Sequence, residues 1–329
     1  MGDTFRELTY AAPSDPRLKR WIIHTIEGLS GREKFLPLYR YWRDHIVPKS
    51  PHPYGDVLNL VDVKMRVTTT GGAAWPPPIA KETPLIMIAN HPFGIGDGIA
   101  ILAMAEQLGR PFKVLINNQL LRIPEIRPYS LPIDFEETRA AQEINLATRK
   151  EALRLLAAGT TIIVFPAGGV ATAKSMFGRA VELPWKLFTA RMIQSSKASV
   201  LPIWFEGQNG PFFHLASRFS LTLRLSLLVS EFRKFAGTAL TVNVGPVIAF
   251  AELKHGGDRK LLTEELHGIV HALAGPGRAA APGGIRRVRG VGRLARQKAR
   301  KVGKLASRKA RGMTRLARRK LRLRPGGNS

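Results

Sequence analysis

In Asn90-His91-Pro92-Phe93-Gly94-Ile95-Gly96-Asp97-Gly98, a histidine and an aspartate are separated by five residues within one glycine-rich stretch. A carboxylate that accepts from one imidazole nitrogen leaves the other nitrogen free to take a proton from a hydroxyl. The chemistry these types offer is therefore a general base, His91, with an orienting partner, Asp97. Gly94, Gly96 and Gly98 let backbone approach reacting atoms, and N–H groups at a helix start suit a developing oxyanion. The structural alternative is a polar turn whose side chains merely cap the next helix.

Positioning such a pair takes a rigid element on each side. Leu85-Ile86-Met87-Ile88-Ala89 is an apolar run that predicts a buried strand, and residues 98–108 predict a helix. Further along, alternation over residues 61–67 predicts a half-exposed strand, and Gly71-Gly72 with Pro76-Pro77-Pro78 marks a loop. Strands are expected at 112–116, 160–165, 199–205 and 241–244, with helices at 138–157, 184–195 and 258–274. Residues 16–46 read as helical in two pieces. Strands alternating with helices imply an α/β layered domain, a largely parallel sheet flanked by helices. Two more stretches leave strand ends as residues 90–98 do. They are Ile162-Ile163-Val164-Phe165-Pro166-Ala167-Gly168-Gly169 and Val200-Leu201-Pro202-Ile203-Trp204-Phe205-Glu206-Gly207. C-terminal strand ends are where open α/β sheets place their sites.

These motifs, with Leu121-Arg122-Ile123-Pro124-Glu125-Ile126-Arg127-Pro128 as a second, resemble the four ordered motifs of the glycerolipid acyltransferase family, of the lysophosphatidic-acid type. The resemblance covers roughly residues 15–250. Most of that family has four residues between His and Asp. The longer His-Pro-x-Gly-x-x-Asp-Gly form here is similar to a bacterial branch of hemolysin-like and ornithine-lipid-type acyltransferases. Ala167 stands where many members carry Glu.

The resemblance implies transfer of a fatty-acyl group from acyl-carrier protein or acyl-coenzyme A to the hydroxyl of a lyso-lipid, of the lysophosphatidic-acid or lyso-ornithine-lipid type. His91 would be the base and Asp97 its partner, with no cofactor beyond the cosubstrate. Substrate-binding candidates are Asn90, Phe93, Gly94, Arg122, Arg127, Phe165, Pro166, Gly168 and Gly169. The arginines are chosen because a guanidinium grips phosphate bidentately, against the plainer reading of solvated loop charges. Lys174, Arg179, Glu206 and Asn209 are secondary candidates. His267 and His271, four apart with Glu264 a turn earlier, have metal-compatible spacing without a third ligand, so a solvated helix face is expected and no metal is assigned. Two other readings stay open: a nonenzymatic lipid- or nucleic-acid-binding scaffold, and a hydrolase with water as acceptor, although no Gly-x-Ser-x-Gly elbow is present.

Composition sets the frame. The chain of 329 residues, 44% hydrophobic, is long enough to bury a sizeable core. It has no Cys, which removes disulfides and Cys-ligated metals. No signal peptide is expected at the N-terminus. Residues 85–105 are apolar but interrupted by His91, Pro92 and Asp97, so strand-turn-helix is expected there rather than a membrane span. The expected division is an N-terminal helical segment (1–50), an acyltransferase domain (51–275) and a basic tail (276–329).

The formal net charge is +27, and residues 278–329 hold 19 of the 51 Lys and Arg with no acid. Within them, residues 290–322 form three 11-residue repeats: Gly-Val-Gly-Arg-Leu-Ala-Arg-Gln-Lys-Ala-Arg, Lys-Val-Gly-Lys-Leu-Ala-Ser-Arg-Lys-Ala-Arg and Gly-Met-Thr-Arg-Leu-Ala-Arg-Arg-Lys-Leu-Arg. Eleven residues make close to three helical turns, so Val291, Leu294, Val302, Leu305, Met313 and Leu316 share a face. Like-charge repulsion and glycines predict disorder in free solution and helix on a negative surface. For a lipid-modifying enzyme the expected partner is an anionic membrane surface through residues 285–324, at the cytoplasmic, inner face of the plasma membrane. Nucleic acid phosphate is the less favoured partner.

Overall fold

The computed structural model describes residues 32–136, 138–219 and 221–274. Of the helical stretch expected over 16–46, the part before residue 32, with its break near Gly28 to Gly31, lies outside the described residues, as does the repeat tail.

Helix α1 (Arg32–Tyr41) runs into a π-helical turn, Trp42–Ile46, and α2 (Pro53–Leu60) follows. Pro53 opens α2, where a missing N–H costs nothing. The N–H groups of Tyr54 and Gly55 both donate to the Glu106 carboxylate at 2.9 Å, so a distant side chain caps this short helix. Strand β1 (Lys64–Thr69) starts later than the alternation suggests. Val61 and Val63 are buried where the chain leaves α2, and Asp62 turns it there with φ 55°.

β2 (Leu85–Ala89) and α3 (Ile95–Gln107) come next, then β3 (Phe112–Asn117), two 3-10 turns, and β4 (Ser130–Ile133). α4 (Arg139–Ala157) is capped by the Thr138 hydroxyl, which accepts from the Ala141 N–H, and leads to β5 (Thr161–Val164). The hairpin strands β6 (Thr172–Ala173) and β7 (Ala180–Val181) precede α5 (Leu187–Ser196) and β8 (Ser199–Phe205). Two helices not expected from the sequence, α6 (Pro211–Phe219) and α7 (Leu221–Phe235), lie before β9 (Ala239–Val244) and the closing α8 (Arg259–Ala272).

Seven strands form one sheet in the order β1-β9-β8-β2-β5-β3-β4. The five from β8 to β4 run parallel; β9 pairs antiparallel to β8, and β1 runs with β9. The sheet is thus largely parallel, as expected. Every residue of β2 is buried because it is central and both its faces are covered. Leu85, Met87 and Ala89 pack with α2, α3 and α7, and Ile86 and Ile88 with α4, α5 and α8. Residues 85–105 are therefore a strand, a turn and a helix. Among the described residues no helix is long and apolar enough to cross a membrane.

Candidate active site

β8, β2 and β5 lie side by side and point the same way, so the loops leaving their C-terminal ends meet. These loops carry the first, third and fourth motifs. Asn90 fixes the first of them. Its side chain donates to the Phe205 carbonyl at 3.0 Å and accepts from the Phe205 N–H at 2.7 Å. The buried amide prolongs β2 by one more pairing with β8.

α3 begins at Ile95, earlier than the sequence suggests, because Gly94 supplies the turn with φ 82°. A Cβ on Gly94 would stand 2.8 Å from Leu228 on α7, so glycine is required by both conformation and space. The early start puts Asp97 in the first helical turn, completely buried. Asp97 Oδ2 accepts from the Phe93 N–H at 2.8 Å, and Oδ1 stands 3.1 Å from His91 Nδ1. That contact is close, but the two atoms are out of line for a hydrogen bond. Catalytic hydrogen bonds are often poorly aligned without substrate and tighten when it binds. With Nδ1 turned to the carboxylate, Nε2 is the nitrogen left for a substrate. The Phe165 ring stacks on the imidazole, centroids 4.2 Å apart at 28°, and sets its plane.

The third-motif loop returns to the same place. The Gly168 N–H donates to the Phe165 carbonyl and the Ala171 N–H to the His91 carbonyl, at 2.9 and 2.8 Å. Gly168 has φ 68°, and the Phe135 ring lies against it. From α7, Arg224 Nη2 donates to the Val170 carbonyl at 2.8 Å. Burial holds that guanidinium below its ordinary pKa. A carboxylate enters this region not at Ala167 but from Glu182, just after β7. Glu182 Oε1 accepts from the His91 N–H at 2.8 Å. Its Oε2 accepts from Trp185 Nε1 at 3.2 Å and stands 3.3 Å from His271 Nε2.

Several other candidates make their described contacts with the scaffold. The Phe93 ring is buried and meets Phe235 edge-on, 4.6 Å between centroids, so its side chain faces the core and not a substrate. Arg127 Nε donates to the Leu121 carbonyl at 2.5 Å and ties its own loop; no hydrogen bond or ion pair joins it to His91 or Asp97 among the described residues. Arg122 ends the first 3-10 turn, Asn118–Arg122, and its side chain lies outside the described set. Lys174 and Arg179 are exposed on the β6–β7 hairpin. Glu206 accepts from Asn243, and Asn209 donates to the Phe93 carbonyl. The helix face with Glu264 and His267 is exposed, but His271 turns inward to Glu182. Among the described residues no group of three or more His, Cys, Asp or Glu is placed to hold a metal. Glu182, Arg224 and α7 are the parts that motif spacing missed. Glu182 alone carried a signal, as the single acid between residues 165 and 191.

A family model described as an acyltransferase matches residues 79–264, more than half of the chain. The chain belongs to the acyltransferase family. The matched span holds β2, β5, β8 and all three loops that meet at His91. Among curated proteins, the chain is similar to two called lyso-glycine lipid O-acyltransferase. That of Phocaeicola vulgatus is 26% identical over 169 residues, which are 49% of this chain and 58% of the relative. That of Bacteroides thetaiotaomicron is 26% identical over 210 residues, 59% of this chain and 72% of the relative. The chain spans less than two thirds of the length of the first. Among solved structures it is similar to the 1-acyl-sn-glycerophosphate (LPA) acyltransferase PlsC of Thermotoga maritima. The TM-score is 0.43 at 16% identity, covering 78% of this chain and 93% of that one.

Proposed function

We propose that this protein transfers a fatty-acyl group from a thioester, acyl-carrier protein or acyl-coenzyme A, to the hydroxyl of a lyso-lipid. The observation that carries the reading is the His91–Asp97 pair, 3.1 Å apart with the carboxylate fully buried, at the junction of three strand ends. His91 Nε2 takes the proton of the acceptor hydroxyl as the oxygen attacks the thioester carbonyl. Asp97 holds the ring with Nδ1–H toward itself and stabilises the imidazolium that forms. The thiolate leaves, and the imidazolium returns the proton to it. The acceptor supplies the oxygen, so no protein nucleophile is required. The first turn of α3 offers N–H groups without helical partners, suited to the oxyanion. Phe165, Pro166, Gly168 and Gly169 shape the wall beside the imidazole. Arg122 and Arg127 remain candidates for an anionic head group.

The acceptor is a lyso-lipid with a small anionic or amino-acid head. The two curated relatives, each named for a lyso-glycine lipid, favour the amino-acid type over the glycerophosphate type. The chain works at the cytoplasmic face of the plasma membrane, held by its basic tail. The test is transfer by purified protein, wild type beside His91→Ala, with labelled thioesters and a panel of lyso-lipids on anionic vesicles. Transfer that disappears in the variant supports the reading, and the preferred acceptor identifies the head group. Transfer that survives in His91→Ala, or label released only as free fatty acid, overturns it.

A further inference from the structure

Isolated exposed hydrophobic side chains are ordinary, and gathered ones mark a contact surface. Most of the large exposed hydrophobics among the described residues gather around the three loops at His91. Phe177, Val181 and Phe212 are the most exposed of them, at 70, 63 and 67%, joined by Leu183, Leu187 and Phe135.

Contacts place each on an element that adjoins the site. Val181 and Leu183 flank Glu182, which holds the His91 N–H. Leu183 lies over Gly169, and Phe135 lies against Gly168. Phe177 occupies the turn between β6 and β7. That turn is tied to the exit of β8, since Gln208 donates to the Gly178 carbonyl and accepts from the Ala180 N–H. Phe212 stands on the helix that follows the same exit. Leu187 opens α5 directly after Lys186, whose N–H donates to the Pro166 carbonyl.

Exposed charge on this rim is mostly positive. Between residues 165 and 191 stand Lys174, Arg179, Lys186 and Arg191, all exposed, against Glu182 alone, whose side chain is 7% exposed and faces inward. Glu136, beside Phe135, is the exposed acid at its border. Apolar tips ringed by Lys and Arg match a bilayer interface, where the tips enter acyl chains and the bases meet anionic head groups.

We infer that the β6–β7 hairpin, with Phe212 and Phe135, is a membrane-docking rim that inserts into an anionic leaflet and sets His91 at the depth of a lyso-lipid's hydroxyl. The inference rests on the lyso-lipid reading, because a hydroxyl next to an acyl chain reaches His91 only if the site mouth meets the interface. It is separate from the repeat tail, which attracts the chain to the surface by charge and carries no catalytic residue. The exposed bases would also suit an acidic carrier protein. The bilayer is favoured because the most exposed side chains here are two phenylalanines and a valine, which gain most from acyl chains.

The absence of cysteine permits a clean experiment. Phe177→Cys in the full chain is labelled with a polarity-sensitive fluorophore, and Leu261→Cys serves as control. Leu261 is exposed near the far end of α8, roughly 15 Å along the helix from His271. On vesicles of phosphatidylglycerol and phosphatidylcholine, the label at 177 is expected to shift to shorter wavelength and be quenched by chain-labelled lipid. The label at 261 is expected to do neither. Vesicle binding that leaves the 177 label unchanged overturns the inference and leaves docking to the tail. A 177 label shielded by acyl-carrier protein and not by vesicles overturns it in favour of a donor seat.

The companion variant is Phe177→Ser/Val181→Ser, checked for unchanged thermal unfolding. Vesicle affinity at high salt is expected to fall at least about tenfold. Transfer to vesicle-borne lyso-lipid should fall with it, while transfer to detergent-dispersed lyso-lipid stays at the wild-type rate. Equal loss in vesicles and detergent overturns the inference. The label reads docking without turnover, so a wild type that transfers to no acceptor sinks the acyltransferase reading and leaves the docking result standing.

Discussion

The backbone N–H of His91 donates to the carboxylate of Glu182 at 2.8 Å, across 91 positions of sequence. His91 is thus placed at two points: its ring lies against Asp97 and Phe165, and its main chain is hydrogen-bonded to the residue that follows a hairpin beyond the third motif. Glu182→Ala leaves a half-buried donor without its partner, at a cost of about 1–3 kcal/mol. Thermal unfolding should move down by several degrees and transfer should fall at least about tenfold. Glu182→Gln keeps an acceptor oxygen and should retain most of both. Equal losses in the two variants would show that the negative charge, and not the acceptor atom, is what His91 requires.

Asp97→Asn preserves volume and leaves an oxygen for the Phe93 N–H, yet removes the charge that stabilises an imidazolium. The expected loss in kcat is on the order of 100- to 10,000-fold with KM little changed, read from steady-state kinetics. A rise in KM at constant kcat would show Asp97 to be a substrate-binding group.

Gly94 and Gly98 stand in the same turn of chain and should respond oppositely to alanine. Gly94 has φ 82°, and a Cβ there would press on Leu228 at 2.8 Å, so Gly94→Ala should destabilise by about 1–3 kcal/mol. Gly98 is helical, with nothing within 4 Å of its ideal Cβ, so Gly98→Ala should stabilise by about 0.4–1 kcal/mol. Denaturant midpoints with unchanged m-values would decide both.

His214 on α6 is completely buried, and its Nδ1 accepts from the Ala173 N–H on β6 at 3.3 Å. Burial holds its pKa below the ordinary imidazole value of 6.5, while the Asn209 backbone and Glu231 carboxylate pull the other way. The unfolded chain therefore takes up a proton at a higher pH than the native one. The contribution to stability is complete above about pH 6.5 and is lost as pH falls below it toward the native pKa. His214→Asn keeps an acceptor near the Nδ1 position and removes the titration. Unfolding followed between pH 5 and 7.5 should show a steeper acid decline in wild type than in this variant. Parallel profiles would remove His214 from the account.

The strands were legible because central parallel strands are apolar on both faces, as 85–89, 161–164 and 199–205 are. Three loops at strand ends then located the site. The start of α3 was missed because its N-cap is Gly94 rather than Ser, Thr or Asp, and three glycines read as a longer turn. The pair α6–α7 was missed because no Gly or Pro interrupts residues 212–236 to mark the change of direction between them. Phe93 looked like a site residue from its place in the motif, yet its ring is directed to Phe235 by a backbone no local pattern describes. Glu182 and Arg224 act on the loops from far along the chain, and long-range polar contacts leave no periodic trace in a single sequence.

Asn90 exchanges two hydrogen bonds with the backbone of Phe205, and Asp97 sits within a helix that packs on the sheet. The two ends of the turn therefore belong to the body of the domain, and so does what lies between them: the Phe93 ring is buried against Phe235, Gly94 has no room for a Cβ, and Ile95 and Gly96 are already helical. A turn anchored in this way is a keyed part of the wall, not a removable span. One residue more or less between His91 and Asp97 would displace the Phe93 ring from Phe235 or turn Asp97 by about 100° around the helix. The five-residue spacing is thereby written into the packing of α3 on the sheet, and the distance between imidazole and carboxylate is set by the core as much as by the turn.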